Sequence, residues 1–196
     1  MPEKSDTRRH ILEAVVTCIE KYGLDKVTTR KIAEQAGTNI ASINYYFRSK
    51  DELINETLSM TINHMMEDVF AAIDDRQQSF ESALTSVLFY LLDGSRKFPG
   101  ISRAHMYRAV VQGDRDSVSS QAMIRVFERL VKRATGEYPG HDPKLIRLGI
   151  SQIMSSIIFA LLAGDFFPMP REYQLTSTKS ARVLAEAYTR EFMSML

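Results

Sequence analysis

The sequence predicts an all-α protein: a three-helix, helix-turn-helix (homeodomain-like) unit at the N-terminus, then a larger helical domain, about nine helices together. Three observations predict it. No proline stands between Glu3 and Phe98, a span that would otherwise carry helix breaks. Apolar residues recur at spacings of three and four rather than alternating, which is the period of a helix with one buried stripe. The interruptions fall at residues that stop or start helices: Gly23, Gly37, Lys97-Phe98-Pro99-Gly100 and Asp142-Pro143.

The first helix is expected from about Asp6 or Thr7, either able to cap it, to Tyr22. Its stripe is Ile11, Val15 and Ile19, and Gly23 ends it. A second helix starts with Thr28 as N-cap and ends at Gly37; a third runs from about Asn39 to Phe47. Ser49 and Glu52 form a capping box, with Ser49 accepting from the Glu52 amide while the Glu52 carboxylate reaches back. The long fourth helix that follows extends to about Ile73. Further helices are expected near 77–95, 101–112, 117–136, 143–164 and 177–195. Of these, Asp142 caps a helix with Pro143 at N1, and Thr176 or Ser177 caps the last. Neither internal repeats nor a low-complexity linker separates the parts.

Composition bounds the function only loosely. The 196 residues carry a net charge of +1, so overall charge does not mark a nucleic-acid binder. Residues 1–50, however, hold nine Lys/Arg against six Asp/Glu, leaving the rest at −2, and the basic excess coincides with the helix-turn-helix. The single Cys18 excludes an intramolecular disulfide framework and fits a reducing, cytoplasmic setting, as an inert thiol in the first helix. MPEKSDTRRH lacks the apolar run of a signal peptide. Nor is there an unbroken apolar run long enough for a membrane span, the best being Ile157 to Ala163.

The chemistry concentrates in TTRKIAEQAGTNIASINYYFRSK, Thr28 to Lys50. In a helix-turn-helix the second helix enters the major groove while the preceding helix points its N-terminal amides at phosphate. Thr28 and Thr29 supply hydroxyls at such an end, with Arg30 beside them. Gly37 permits the left-handed backbone of the turn. With Ile32, Ala33, Ala36, Ile43 and Phe47 assigned to packing against the first helix, the groove-facing set is Asn39, Ile40, Ala41, Ser42, Asn44 and Tyr45. Asn44 can pair with adenine through two hydrogen bonds, Ser42 can bond several base edges, and Ile40 and Ala41 can touch a thymine methyl. Tyr46 and Lys50 can hold phosphate across the groove. A well-capped hairpin without a DNA role would use Thr28, Ile43 and Phe47 the same way; the group together points to DNA.

VTTRKIAEQAG, NYYF and SKDEL, within residues 7–58, resemble the DNA-binding domain of the TetR family of bacterial transcriptional regulators. The resemblance implies that Thr28, Thr29, Tyr46 and Lys50 hold phosphates. It also implies that Arg30 and Ile40 to Tyr45 face bases or nearby backbone. The chain departs from the common pattern at Asn44, where members often have tyrosine, and at Ile40, where lysine or glutamine is frequent. Residues 1–50 are then the DNA-binding domain and 51–196 an effector-binding and dimerisation domain. A homodimer is implied through the last two helices, with Leu145, Leu148, Gln152, Ser155, Ser156 and Phe159 on one and Val183, Leu184, Ala187 and Tyr188 on the other.

Such a domain would enclose a small-molecule effector. Candidates for its pocket are Met65, Met66, Phe70, Phe89, Tyr90 and His105, then Met106, Tyr107, Met123, Phe127 and Gln152. Methionine and aromatic side chains suit an adaptable cavity for an apolar or aromatic molecule, and His105, Tyr107 and Gln152 offer polar contacts. No metal is expected, since His64 and His105 lack a second ligand at i+3 or i+4. No cofactor is expected either. HExxH, GxSxG, the Walker glycine loop and the dinucleotide fingerprint are all missing from the sequence, so the chain reads as a regulator rather than an enzyme. The expected protein is a repressor that binds a palindromic operator as a homodimer and is released by its effector. A helical ligand carrier or enzyme without operator binding is the alternative.

Overall fold

The computed structural model describes residues 4–164 and 166–196, and every regular element among them is helical. The helices are α1 (Lys4–Tyr22), α2 (Thr29–Gln35), α3 (Ile40–Tyr46), α4 (Lys50–Asp74) and α5 (Phe80–Lys97). After them come α6 (Pro99–Met106), α7 (Val118–Glu137), α8 (Pro143–Ala163) and α9 (Thr178–Ser194). Two apolar clusters organise them. In the first, Ile11, Val15 and Ile19 of α1 meet Ile32 of α2, Ile43 of α3 and Phe47. In the second, Leu84 and Leu88 of α5 pack with Leu130 of α7, Ile150 of α8 and Leu184 and Phe192 of α9. We call the two regions the head and the body.

Two helices belong to both. Leu53, Ile54 and Leu58 of α4 complete the head cluster, while Ile62, Met66, Val69 and Ile73 lie in that of the body. The 25 residues of α4 span about 37 Å, so it is a rigid rod between them. The short α6 joins the two from the side: Ile101 and Ala104 are buried in the head cluster, and the helix packs against α5 and α8 of the body. Gly100 permits this approach: a Cβ there would stand 2.9 Å from the Glu20 Cα and the Ile19 carbonyl oxygen of α1.

A buried arginine fixes the far end of α4. Arg133 of α7 is 2% exposed; its guanidinium donates to the carbonyls of Ile73 (2.5 Å) and Gln78 (2.6 Å) and pairs with Glu137 at 2.8 Å. Glu137 also accepts from the Phe80 amide at 2.9 Å. The pair therefore satisfies a free carbonyl at the end of α4, one in the connection that follows it, and a free amide at the start of α5.

Several boundaries differ from the sequence reading. α1 begins at Lys4, which puts Asp6 inside its first turn rather than at the cap, a favourable place for a carboxylate beside the helix dipole. α5 begins at Phe80, because Asp75 accepts from the Gln77 amide in a turn and Ser79 caps the helix through the Ser82 amide. The element expected at 101–112 starts at Pro99 and is not uniform. Tyr107–Val111 forms a π turn, closed by the Gln112 amide on the Tyr107 carbonyl at 3.1 Å. The Glu52 carboxylate reaches back to the amide of Arg48, at 2.8 Å, rather than to that of Ser49.

By length and composition, α8 is the one helix among the described residues apolar enough to cross a membrane. The unbroken-run criterion overlooked it because glycine and serines interrupt its apolar residues. Only 33% of that stretch is buried, although it packs against α5, α6, α7 and α9. Much of its apolar side faces outward.

Candidate DNA-reading face and ligand cavity

The head presents α2 and α3 on a turn set by caps three residues apart. Thr28 accepts from the Lys31 amide at 3.3 Å and Asn39 from the Ser42 amide at 2.8 Å, so each helix begins where a short polar side chain replaces a missing carbonyl. Between them Gly37 adopts φ 62°, which a residue with a β-carbon rarely does. Ile43 and Phe47, 2% and 1% exposed, anchor α3 on the head cluster. Cys18 is wholly buried behind them, and burial raises its thiol pKa.

The opposite side of α3 is open. Ile40, Ala41, Asn44 and Tyr45 are exposed, Tyr45 by 70%, and Ser42 is half-buried. Asn39 is exposed too, but its Oδ1 is engaged as the cap, leaving its amide nitrogen available. Tyr46 is half-buried against the head cluster and meets the Tyr45 ring edge-on at 5.1 Å. At the start of α2, Arg30 is exposed and Thr29 half-buried. Lys50 extends back to this same end, its Nζ donating to the Val27 carbonyl at 3.4 Å. The residues expected at phosphate and those expected at bases thus occupy adjoining parts of one surface.

The body holds a cavity of about 550 Å³ between α4, α5, α6, α7 and α8, with Val16 of α1 on its head side, within the range that holds a drug-sized ligand. Met65, Met66, Phe89, Tyr90, His105, Met106 and Met123 line it as the sequence suggested. Four other candidates do not. Phe70 lies under the Arg129 guanidinium at 4.1 Å and Phe127 under that of Arg147 at 5.0 Å, each a ring covered by a cation outside the cavity. Tyr107 stands two residues beyond His105, on the other side of the helix, and is exposed. Gln152 faces outward from α8. Residues that sequence reasoning left out complete the wall, among them Thr61, Phe98, Ser102, Met154, Ile157 and Leu161.

His105 is buried and uses both ring nitrogens. Nε2 lies 3.0 Å from the Thr61 hydroxyl and Nδ1 2.8 Å from that of Ser119. Since Thr61 donates to the Leu58 carbonyl at 3.1 Å, it accepts from Nε2–H, and Nδ1 accepts from Ser119. Burial lowers the imidazole pKa to about 4, so the ring is neutral. Tyr90 donates to Asp68 at 2.7 Å, and burial together with that carboxylate raises its pKa to about 12. Burial pushes the Asp93 carboxyl up, but hydrogen bonds from Lys97, Arg96 and Thr178 outweigh it and hold it below its ordinary value.

On α8, Leu145, Leu148, Gln152, Ser155 and Phe159 are all exposed, at alternating steps of three and four. That is the spacing of a helix seam seeking another helix. On α9, Val183, Ala187 and Tyr188 are half-buried, while Leu184 belongs to the body core.

Residues 11–57 match the family described as bacterial regulatory proteins, tetR family. The HTH-type transcriptional regulator BetI of Cronobacter sakazakii is 24% identical over 193 residues, 94% of each chain. The nucleoid occlusion factor SlmA of Haemophilus ducreyi is 26% identical over 106 residues, about half of each chain (53% and 52%). Among solved structures, the transcriptional regulator FadR of Bacillus subtilis in complex with stearoyl-CoA superposes with a TM-score of 0.64 at 16% identity, covering 96% of this chain and 98% of that one. The match over residues 11–57, a relative aligned from end to end and a shared whole-chain fold make this chain similar to the bacterial regulatory proteins of the tetR family.

Proposed function

We propose that the chain acts as a homodimeric repressor whose heads read a palindromic operator and whose body releases that operator on binding a small apolar or aromatic effector. One observation carries the reading: α3 is anchored by Ile43 and Phe47 and exposes Ile40, Ala41, Asn44 and Tyr45 on its opposite side. The Asn44 side chain makes no hydrogen bond among the described residues, which leaves its amide free for a base edge. Thr28, Thr29, Arg30, Tyr46 and Lys50 serve as phosphate contacts and fix register without reading sequence. Residues 1–50 form the DNA-binding domain in this functional sense, and 51–196 the effector and dimerisation domain.

The outward seam of α8, with the half-buried side of α9, supports a two-fold dimer through these helices. Two heads would then occupy major grooves about 34–36 Å apart, or a multiple of one turn. The cavity, and the ligand held by the structurally similar FadR, support control by a small molecule. An effector favouring a different head spacing lowers operator affinity by its differential affinity for the two states. A mobility-shift titration on DNA upstream of the protein's own gene tests the proposal. A folded, dimeric protein that binds no palindromic site at low salt would leave only the alternative of a ligand-binding protein without an operator.

A further inference from the structure

The polar groups on the cavity wall are nearly all committed. Among the described residues Asp93 is the one carboxylate there, and it is bound by Lys97 at 2.7 Å and Arg96 at 2.9 Å and accepts from Thr178 at 3.1 Å. An anion drawing Lys97 away would strip a base from a carboxylate whose side chain is 8% exposed, and a cation drawn to Asp93 would compete with two bases already in place. The hydroxyl protons are engaged as well: Thr61 donates to Leu58, Ser95 to the Leu92 carbonyl at 2.8 Å and Tyr90 to Asp68. His105 has no free nitrogen. Among the described residues of the wall, Ser102 is the half-buried hydroxyl without a hydrogen-bond partner. The exposed His64 reaches solvent with the cavity full or empty. Five of the chain's ten methionines, Met65, Met66, Met106, Met123 and Met154, give the otherwise aliphatic and aromatic wall deformable apolar surface.

Resting on the reading of this cavity as an effector site, we infer that the effector is uncharged where it is buried, mainly hydrocarbon, and carries one hydrogen-bonding group that meets Ser102. Among the described residues of the wall a buried charge finds no free counter-charge, and a second hydrogen-bond acceptor would lose water without gaining a donor. Ser102 also stands beside the joint between cavity and head. The amides of Gly100 and Ile101 donate to the Glu20 carboxylate of α1 at 3.0 and 2.7 Å. A ligand bonded to Ser102 therefore bears on the first turn of the helix that α1 holds.

The test uses the full chain and Nile red, a neutral apolar dye whose fluorescence reports binding. It is displaced by four molecules that share one ring system: naphthylmethanol, methylnaphthalene, naphthoate and naphthylmethyl-trimethylammonium. Naphthylmethanol is expected to displace the dye at concentrations roughly tenfold lower than the anion or the cation. Ser102→Ala should weaken naphthylmethanol by about fivefold and leave methylnaphthalene unchanged. Equal displacement by naphthoate or the ammonium compound would overturn the charge assignment. An unchanged ratio of alcohol to hydrocarbon in Ser102→Ala would overturn the role of Ser102. No saturable Nile red binding by folded protein would instead remove the effector site itself, and this inference with it.

Discussion

The head and the body are built alike, from amphipathic helices closed on an apolar centre, yet they use that centre in opposite ways. In the head, Ile11, Val15, Ile19 and Ile32 are wholly buried and the function proposed for it lies on the outer side of α3. In the body the packed core of Leu84, Leu88 and Phe192 stops short of a cavity of about 550 Å³, and the proposed function lies inside. Reading DNA needs side chains held at fixed positions, which close packing supplies. Sensing a small molecule needs an interior that can change partners, which methionines around a void supply.

The most damaging change to the head is expected to be Phe47→Ala. Phe47 is 1% exposed and anchors the end of α3, so its loss should cost about 3 to 5 kcal/mol in chemical denaturation. Amide exchange should quicken in residues 29–47 far more than in 80–97, and DNA binding should fail while Nile red binding persists. Equal acceleration in both would mean that α4, which shares the two clusters, and α6, which packs on α1, α5 and α8, make one cooperative unit of them.

Acid is expected to act on the body first. His105 titrates at about 4 in the fold against 6.5 unfolded, so the folded state resists protonation. Between these values the unfolded chain binds more protons, and stability falls as pH decreases. The stabilisation is complete above about pH 6.5 and lost toward pH 4, amounting to roughly 3 kcal/mol at most. Denaturation midpoints across this range should flatten in His105→Gln. A slope that persists above about pH 5 would overturn the assignment to His105, since carboxylates such as Asp93 and Glu137, lowered from 3.8 and 4.5, act only at lower pH.

On the outer surface of the head, two substitutions separate reading from holding. Asn44→Ala should cost about 1 to 3 kcal/mol at one base pair and relax preference there, while Lys50→Ala should weaken every site alike and reduce the salt slope by about 1. Uniform weakening by Asn44→Ala in a binding titration across operator variants would assign it to the backbone instead. The face was legible in the sequence because its determinants are local. Thr28 with Lys31, Asn39 with Ser42 and Ser49 with Glu52 each lie three residues apart, within one turn, and fix where the helices begin. Even here Glu52 reached one residue farther than its pattern implied, since the choice between the Arg48 and Ser49 amides depends on the bend of the chain at residues 47–49.

The cavity was legible only in part, because it is an absence bounded by six helices and residue type does not say which side of a helix borders it. Phe70 and Phe127 have suitable chemistry and stack under arginines instead, while Ile157 and Leu161 lie on a helix read chiefly as a dimer surface and line the void from its inner side. A matched pair of truncations measures the same distinction. Ile32 in the head and Ile157 on the cavity wall are both buried, 0% and 2% exposed, within helices. Ile32→Ala opens a hole in a closed core and should cost about 3 to 4 kcal/mol; Ile157→Ala enlarges a hole already present and should cost about 1 kcal/mol less. The difference arises because atoms facing a void have already lost part of their dispersion contacts. Saturating Nile red should narrow that gap if the dye fills the space beside Ile157. Equal costs without ligand would mean that the methionines close over the cavity in solution, and the head and body would then differ in what they can open to rather than in how they pack.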